Sequence, residues 1–222
     1  MLVLAIDTAT PAVTTGVVAL ERAGTTVLGT RVTVDPRAHG ELLTPHVLEA
    51  TRDAGVTPRE LAAVVCGSGP GPYTGLRAGM VTAAALAHAL GIPAHPVCSL
   101  DGIAAEVDTG EPFLVITDAR RREVYWAAYD ASGTRTDGPH VAPPAELAAR
   151  ATGRPAAGHG AELYRDVLDA RVVGPAYPGV AGLVAAAAPE LLAGAEPAPL
   201  TPRYLRRPDA REPGRPKRVS TA

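Results

Sequence analysis

Lysine is almost missing from this chain. Of its 222 residues the sole example is Lys217, near the C-terminus. That absence excludes the phosphate-transfer loop G-x-x-x-x-G-K-[ST], which needs a lysine at its end. Aromatic residues are scarce too, at 4%, with one Phe and one Trp. The chain is nevertheless 46% apolar. Its core must therefore come from Ala, Val, Leu and Ile, and it is too apolar for a disordered protein. No uninterrupted apolar run reaches the roughly 18 residues of a spanning helix, so no membrane segment is expected. No basic start or cleavage site accompanies the first apolar run, as a signal peptide would require. Cys66 and Cys98 are accordingly expected to be reduced, buried thiols in a cytoplasmic protein. No H-x-x-x-H pair occurs, and His39 and His46 are seven apart, which is not the spacing of a helical metal site. The six histidines read as surface or hydrogen-bonded interior groups. Ser68, within Gly67-Ser68-Gly69, does not form a G-x-S-x-G elbow.

What is present is unevenly distributed. From Leu200 onward seven basic residues face two acids. The net charge of −2 thus divides into +5 for this tail and −7 for residues 1–199. A globular body with a Pro- and Arg-rich extension over 200–222, partly disordered, fits this pattern. The extension is either solvated or a contact for RNA phosphate or an acidic partner.

The pattern along the chain predicts an α/β protein built twice. Residues 2–6 form a buried strand ending at Asp7, followed by strands near 13–20 and 25–34 in a meander. A helix over about 39–54 contains Pro45 and stops at Gly55. Then come a strand at 61–66, a glycine-rich loop, a helix over 74–90 closed by Gly91, and a short strand near 92–97. The second half repeats this order. Strand 113–118 ends at Asp118, a hairpin returns through 123–129, and a third strand lies near 134–141. Helices are expected around 144–151, 161–170 and 180–193. The boundary falls near 101–112, where Asp108-Thr109-Gly110-Glu111-Pro112 reads as a turn.

Two features carry the chemistry. The loop Gly69-Pro70-Gly71-Pro72-Tyr73-Thr74-Gly75 follows a strand and opens a helix, the place where backbone N–H groups meet an anion. Asp7 and Asp118 end equivalent strands and could hold magnesium across a cleft, as in an ATPase or small-molecule kinase. Alternatively both simply cap turns. The residues after each Asp, Thr8-Ala9-Thr10 and Ala119-Arg120-Arg121-Arg122, suit phosphate poorly. In helix 74–90, Gly75, Gly79, Ala83 and Ala87 form a stripe of small residues at four-residue spacing. Such a stripe either packs tightly within the chain or admits a helix of another subunit. Leu42, Leu43, Val47 and Leu48 supply apolar bulk on the neighbouring helix.

Five segments stand in the order of a known family: Leu4–Thr10, His39–Pro45, Gly69–Arg77, Asp118–Tyr125 and Pro202–Arg206. Together they resemble the TsaB (YeaZ) family of bacterial tRNA threonylcarbamoyladenosine biosynthesis proteins. The resemblance implies a duplicated actin/Hsp70-like (ribonuclease H-like) fold with lobes at 1–104 and 105–199. It implies a chain that is not an enzyme alone and has neither catalytic residue, metal nor cofactor of its own. Its partner would be a larger TsaD-type paralog that transfers threonylcarbamoyl to N6 of the adenosine beside the tRNA anticodon, assisted by a TsaE-type ATPase. The paralog's Asn-His-x-x-x-His metal run matches Cys98–Ile103 here, with Ser99 and Ile103 in the histidine places. Neither suits a metal, which disfavours a metallopeptidase. Asp7, Thr8, Gly69, Gly71, Thr74, Gly75 and Asp118 would be remnants of a nucleotide cleft. The first-lobe helices would pair with the paralog, or with a second copy, through Leu42, Leu43, Val47, Gly75, Gly79, Ala83 and Ala87.

Overall fold

A computed structural model describes residues 1–206. Its plan follows from β1 (Leu2–Asp7), which is buried on both faces. β1 pairs antiparallel with β2 (Ala12–Glu21), and β2 with β3 (Gly24–Val34). On its other edge β1 pairs parallel with β4 (Ala63–Gly67), and β4 with β5 (Ala94–Val97). The sheet order is β3-β2-β1-β4-β5. The second sheet repeats it as β8-β7-β6-β9-β10, from β6 (Phe113–Asp118), β7 (Val124–Tyr129), β8 (Arg135–Ala142), β9 (Pro155–Ala157) and β10 (Arg171–Val172). Asp7 and Asp118 hold the same position in the two sheets. The arrangement is the duplicated α/β, actin-like two-lobe fold.

Side chains alternate across a strand, so one strand feeds two cores. Leu4, Ile6, Val64 and Cys66 face α1 (His39–Asp53) and α2 (Tyr73–Leu90). Val3, Ala5, Ala63 and Val65 face the opposite way, onto α7 (Val180–Leu192). Burying each Val or Leu of these layers contributes about 1.5–3 kcal/mol. Pro45 lies inside α1, and Gly91 closes α2 in the left-handed conformation that glycine tolerates.

The helices do not respect a lobe boundary at 104/105. α3 (Ser99–Ala104) runs into the start of the boundary region expected near 101–112, and it packs on the second sheet through Leu100, Ile103 and Ala104. α7, from the second half, covers the first sheet. The two helices cross at Gly102 and Gly182, where a side chain on either would run into the other helix. The other face of the second sheet is covered by α4 (Pro144–Ala151), α5 (His159–Leu163) and α6 (Arg165–Leu168). The single helix expected over 161–170 is thus two short ones, broken at Tyr164. The predicted tail also divides. Residues 200–206 run back over the body, and residues 207–222 lie outside the described residues.

Candidate functional site

The turn after β1 is the centre of the first lobe. Asp7 is 1% exposed. One carboxylate oxygen accepts the Ala9 backbone N–H at 2.9 Å, and the other accepts a short hydrogen bond from the Ser99 hydroxyl. Burial pushes the Asp7 carboxyl up to about 6, opposed by Ser99, by the Ala9 amide and by the nearby His39. Thr8 donates its hydroxyl proton to the Gly75 carbonyl at 2.7 Å and accepts the Gly79 N–H at 3.0 Å. His39 donates from Nε2 to the Thr10 carbonyl at 2.8 Å.

Four glycines at a spacing of four, Gly67, Gly71, Gly75 and Gly79, line the side of this turn. A Cβ on Gly67 would overlap the Asp7 carboxylate, on Gly71 the Ala9 carbonyl, and on Gly79 the Thr8 hydroxyl. On Gly75 it would stand 2.9 Å from the Thr8 carbonyl. These glycines therefore admit the chain's own β1 turn. Gly69 has φ +92° beside Pro70 and lies against Leu76. The glycine loop and the Asp7 turn are packed together, and each Asp7 carboxylate oxygen accepts a hydrogen bond from within the fold. Cys66, at the end of β4, is buried, and that burial, with Asp7 nearby, pushes its thiol well above the ordinary range.

The same packing fixes where the residues of the expected subunit interface lie. Leu43, Val47, Gly79, Ala83 and Ala87 face inward, joining α1, α2 and the sheet. Gly75 abuts Thr8 and His39, and Leu42 is half-buried against the same core. Of the small-residue stripe, Gly75 and Gly79 abut the β1 turn, and Ala83 and Ala87 join the core between sheet and helices. The outward face of α2 is different. Val81 is 67% exposed, and Ala84 and Ala85 are exposed beside it, while Ala78 and Thr82 are half-buried. Leu48 of α1 is 54% exposed. A groove of about 360 Å³ between the helices is lined by Gly40, Thr74, Arg77, Ala78, Val81 and Thr82, with His39 and Leu43 at its floor. α2 carries one charged residue, Arg77, in 18 positions. A solvent-facing helix surface is ordinarily polar.

In the second lobe, Asp118 is half-buried at the end of β6 and accepts the Arg120 backbone N–H at 2.9 Å. Arg120, Arg121 and Arg122 then follow with φ of 64°, 53° and 63°. Three successive non-glycine residues in the left-handed region cost about 1–2 kcal/mol each. Both ends of the turn are held, by Ala119 N–H to the Glu123 carbonyl and Glu123 N–H to the Arg120 carbonyl. All three arginines are exposed. Arg120 lines a small pocket of about 170 Å³ together with Thr8, Thr10, Tyr73, Thr74 and Gly75, so the turns after β1 and β6 meet there. Ser99 and Ile103 are both inside the fold, the first on Asp7 and the second in the core beneath β6 and β7.

One part of this region escaped the sequence reading. Residues 203–206 strap the two lobes' turns together. The Arg203 N–H donates to the Ser68 carbonyl at 2.8 Å. Tyr204 stacks on Tyr73, with centroids 5.3 Å apart, and accepts a hydrogen bond from Arg77 Nε at 2.7 Å. Arg206 donates to the Ala119 carbonyl at 3.0 Å and pairs with Glu123 at 2.9 Å. The available signal was an aromatic residue between arginines in an otherwise Pro-rich tail.

Comparison with known proteins accords with this geometry. Over residues 28–209 the chain matches the family model described as TsaD: tRNA N6-adenosine threonylcarbamoyltransferase. An uncharacterized protein of Mycobacterium tuberculosis is 54% identical over 94% of this chain and 93% of its own. The tRNA threonylcarbamoyladenosine biosynthesis protein TsaB of Bacillus subtilis is 35% identical over 58% of this chain and 55% of its own. A solved structure of YeaZ from Pseudomonas aeruginosa covers 92% of this chain and 99% of its own, at 27% identity and a TM-score of 0.74.

Proposed function

The chain belongs to the TsaB (YeaZ) family of tRNA threonylcarbamoyladenosine biosynthesis, and from that premise we propose that it is the non-catalytic subunit that docks a TsaD-type paralog. The paralog performs the transfer to N6 of the adenosine beside the anticodon, and a TsaE-type ATPase acts on the assembled pair. The same docking face would allow a homodimer when the paralog is absent. The cytoplasm, where tRNA is modified, is the compartment this role requires.

One observation carries this reading: the outer face of α2, with Val81, Ala84 and Ala85 exposed beside the α1–α2 groove and Arg77 as its one charged residue. Exposed apolar faces of this kind mark protein contacts. The locked Asp7 carboxylate supports the non-catalytic half of the proposal, since both of its oxygens are already engaged within the fold.

Val81→Glu tests it. The side chain is exposed, so the fold should tolerate the change, whereas a buried charge in an interface is costly. Sedimentation with the paralog should show association weakened about tenfold or more, with an unchanged thermal midpoint. Undiminished association of Val81→Glu would overturn the docking assignment.

A further inference from the structure

We propose that this chain itself grips the tRNA, with the left-handed Arg120–Arg122 turn as a phosphate clamp and the Tyr73–Tyr204 stack as a platform for an unpaired base. The inference rests on the reading above, that the chain serves a tRNA-modifying assembly, and adds a direct contact between this subunit and the substrate.

The turn holds three exposed cationic side chains on five residues, in a conformation that ordinary residues avoid. Backbone strain of this sort persists where the surrounding structure over-determines it, and it clusters at binding sites. Here two backbone hydrogen bonds and Arg206, bonded to the Ala119 carbonyl, fix the turn's shape. Asp118 lies beneath it, 3.9 Å from Arg120 Nε, and Glu123 is engaged by Arg206. Residues 1–199 are net acidic, so this concentration of arginine stands apart from the rest of the surface.

The aromatic stack adjoins the turn. Arg120 and Tyr73 line the same small pocket. Tyr73 is 52% exposed and its ring carries the Arg77 guanidinium at 4.0 Å from the centroid. Tyr204 also remains exposed, and Arg203 beside it is exposed as well. Cationic groups tracking a backbone beside stacked aromatic faces are the means by which proteins hold single-stranded nucleic acid. An acidic protein partner would be served by the arginines but would leave the two exposed tyrosines unused. RNA accounts for both.

The test uses the full chain, alone and reconstituted with its TsaD-type paralog, with fluorescently labelled tRNA titrated across a salt series. The triple substitution Arg120→Ala, Arg121→Ala, Arg122→Ala should weaken tRNA binding at least about tenfold. It should also flatten the dependence of log affinity on log salt by about 2, because about three phosphate contacts are lost. The corresponding triple lysine variant should keep most of that salt dependence, which separates charge from fold. Tyr204→Ala should weaken binding about tenfold and leave the salt slope unchanged. Thermal midpoints and paralog association are measured on the same preparations. If the triple alanine variant stays folded and binds tRNA as wild type does, the proposal is overturned. Loss of TsaE-type ATPase capture with tRNA affinity intact would also overturn it and reassign the patch to a protein. Failure to associate with the paralog at all would sink the docking role instead, and the isolated chain would still report on the patch.

Discussion

At the level of single residues, Asp7 shows an acidic strand end turned into the fold. Here it is sunk against Gly67 and held by Ser99. Its pKa of about 6 lies above the unfolded value of about 3.9. The folded state therefore retains a proton that the unfolded chain releases between those values. Stability from this group is fully present below pH about 4 and declines as pH rises through about 6. Asp7→Asn removes the titration while keeping an acceptor for the Ala9 amide. Denaturant titrations should show the stability of Asp7→Asn relative to wild type improving by roughly 2 kcal/mol between pH 4 and pH 7. A difference that stays constant with pH would show that the carboxyl is not perturbed. The strand-end aspartates were legible from the sequence. Their surroundings were not, because Ser99 is 92 residues away from its partner and nothing in local spacing links them.

At the level of elements, the apolar runs and the breakers located most strands and the longer helices. β1 and β6 appear as continuous apolar stretches because they are buried on both faces. The missed pieces are short: six residues in α3, three in β9 and two in β10. Segments of that length show no periodicity: α3 and β9 form where neighbours bury them, and β10 is exposed and held by pairing with β9. The glycine series shows the opposite failing, a strong pattern whose partner lies elsewhere. The four-residue spacing read over Gly75–Ala87 extends back to Gly67 and Gly71, and the object pressed against these glycines is the turn after β1. Gly71→Ala should therefore destabilise the protein by about 1–3 kcal/mol through overpacking on Ala9. Gly40→Ala, in the first turn of α1 with open space around its Cβ, should be neutral or stabilise by up to about 1 kcal/mol. Thermal melts of the two variants decide the matter, and equal midpoints would refute the packing account.

At the level of the whole molecule, each half of the chain covers the other half's sheet. The first sheet needs α7 to cover Val3, Ala5, Val18, Ala63 and Val65. A fragment of residues 1–104 lacks that helix and should fail to show a cooperative melt by circular dichroism. A sharp transition in the fragment would mean that the first lobe folds alone. Element order revealed the duplication, yet it could not reveal the exchange of helices, since α3 and α7 each pack away from the half that encodes them.

That reciprocal exchange bears on motion. Related architectures with an open gap between sheets can swing like jaws around a ligand. In this protein each half carries the other's lid, and the lids interlock at two glycines with no side chain to spare. Prising the halves apart would bare greasy faces on both at once, so opening carries a cost on each side.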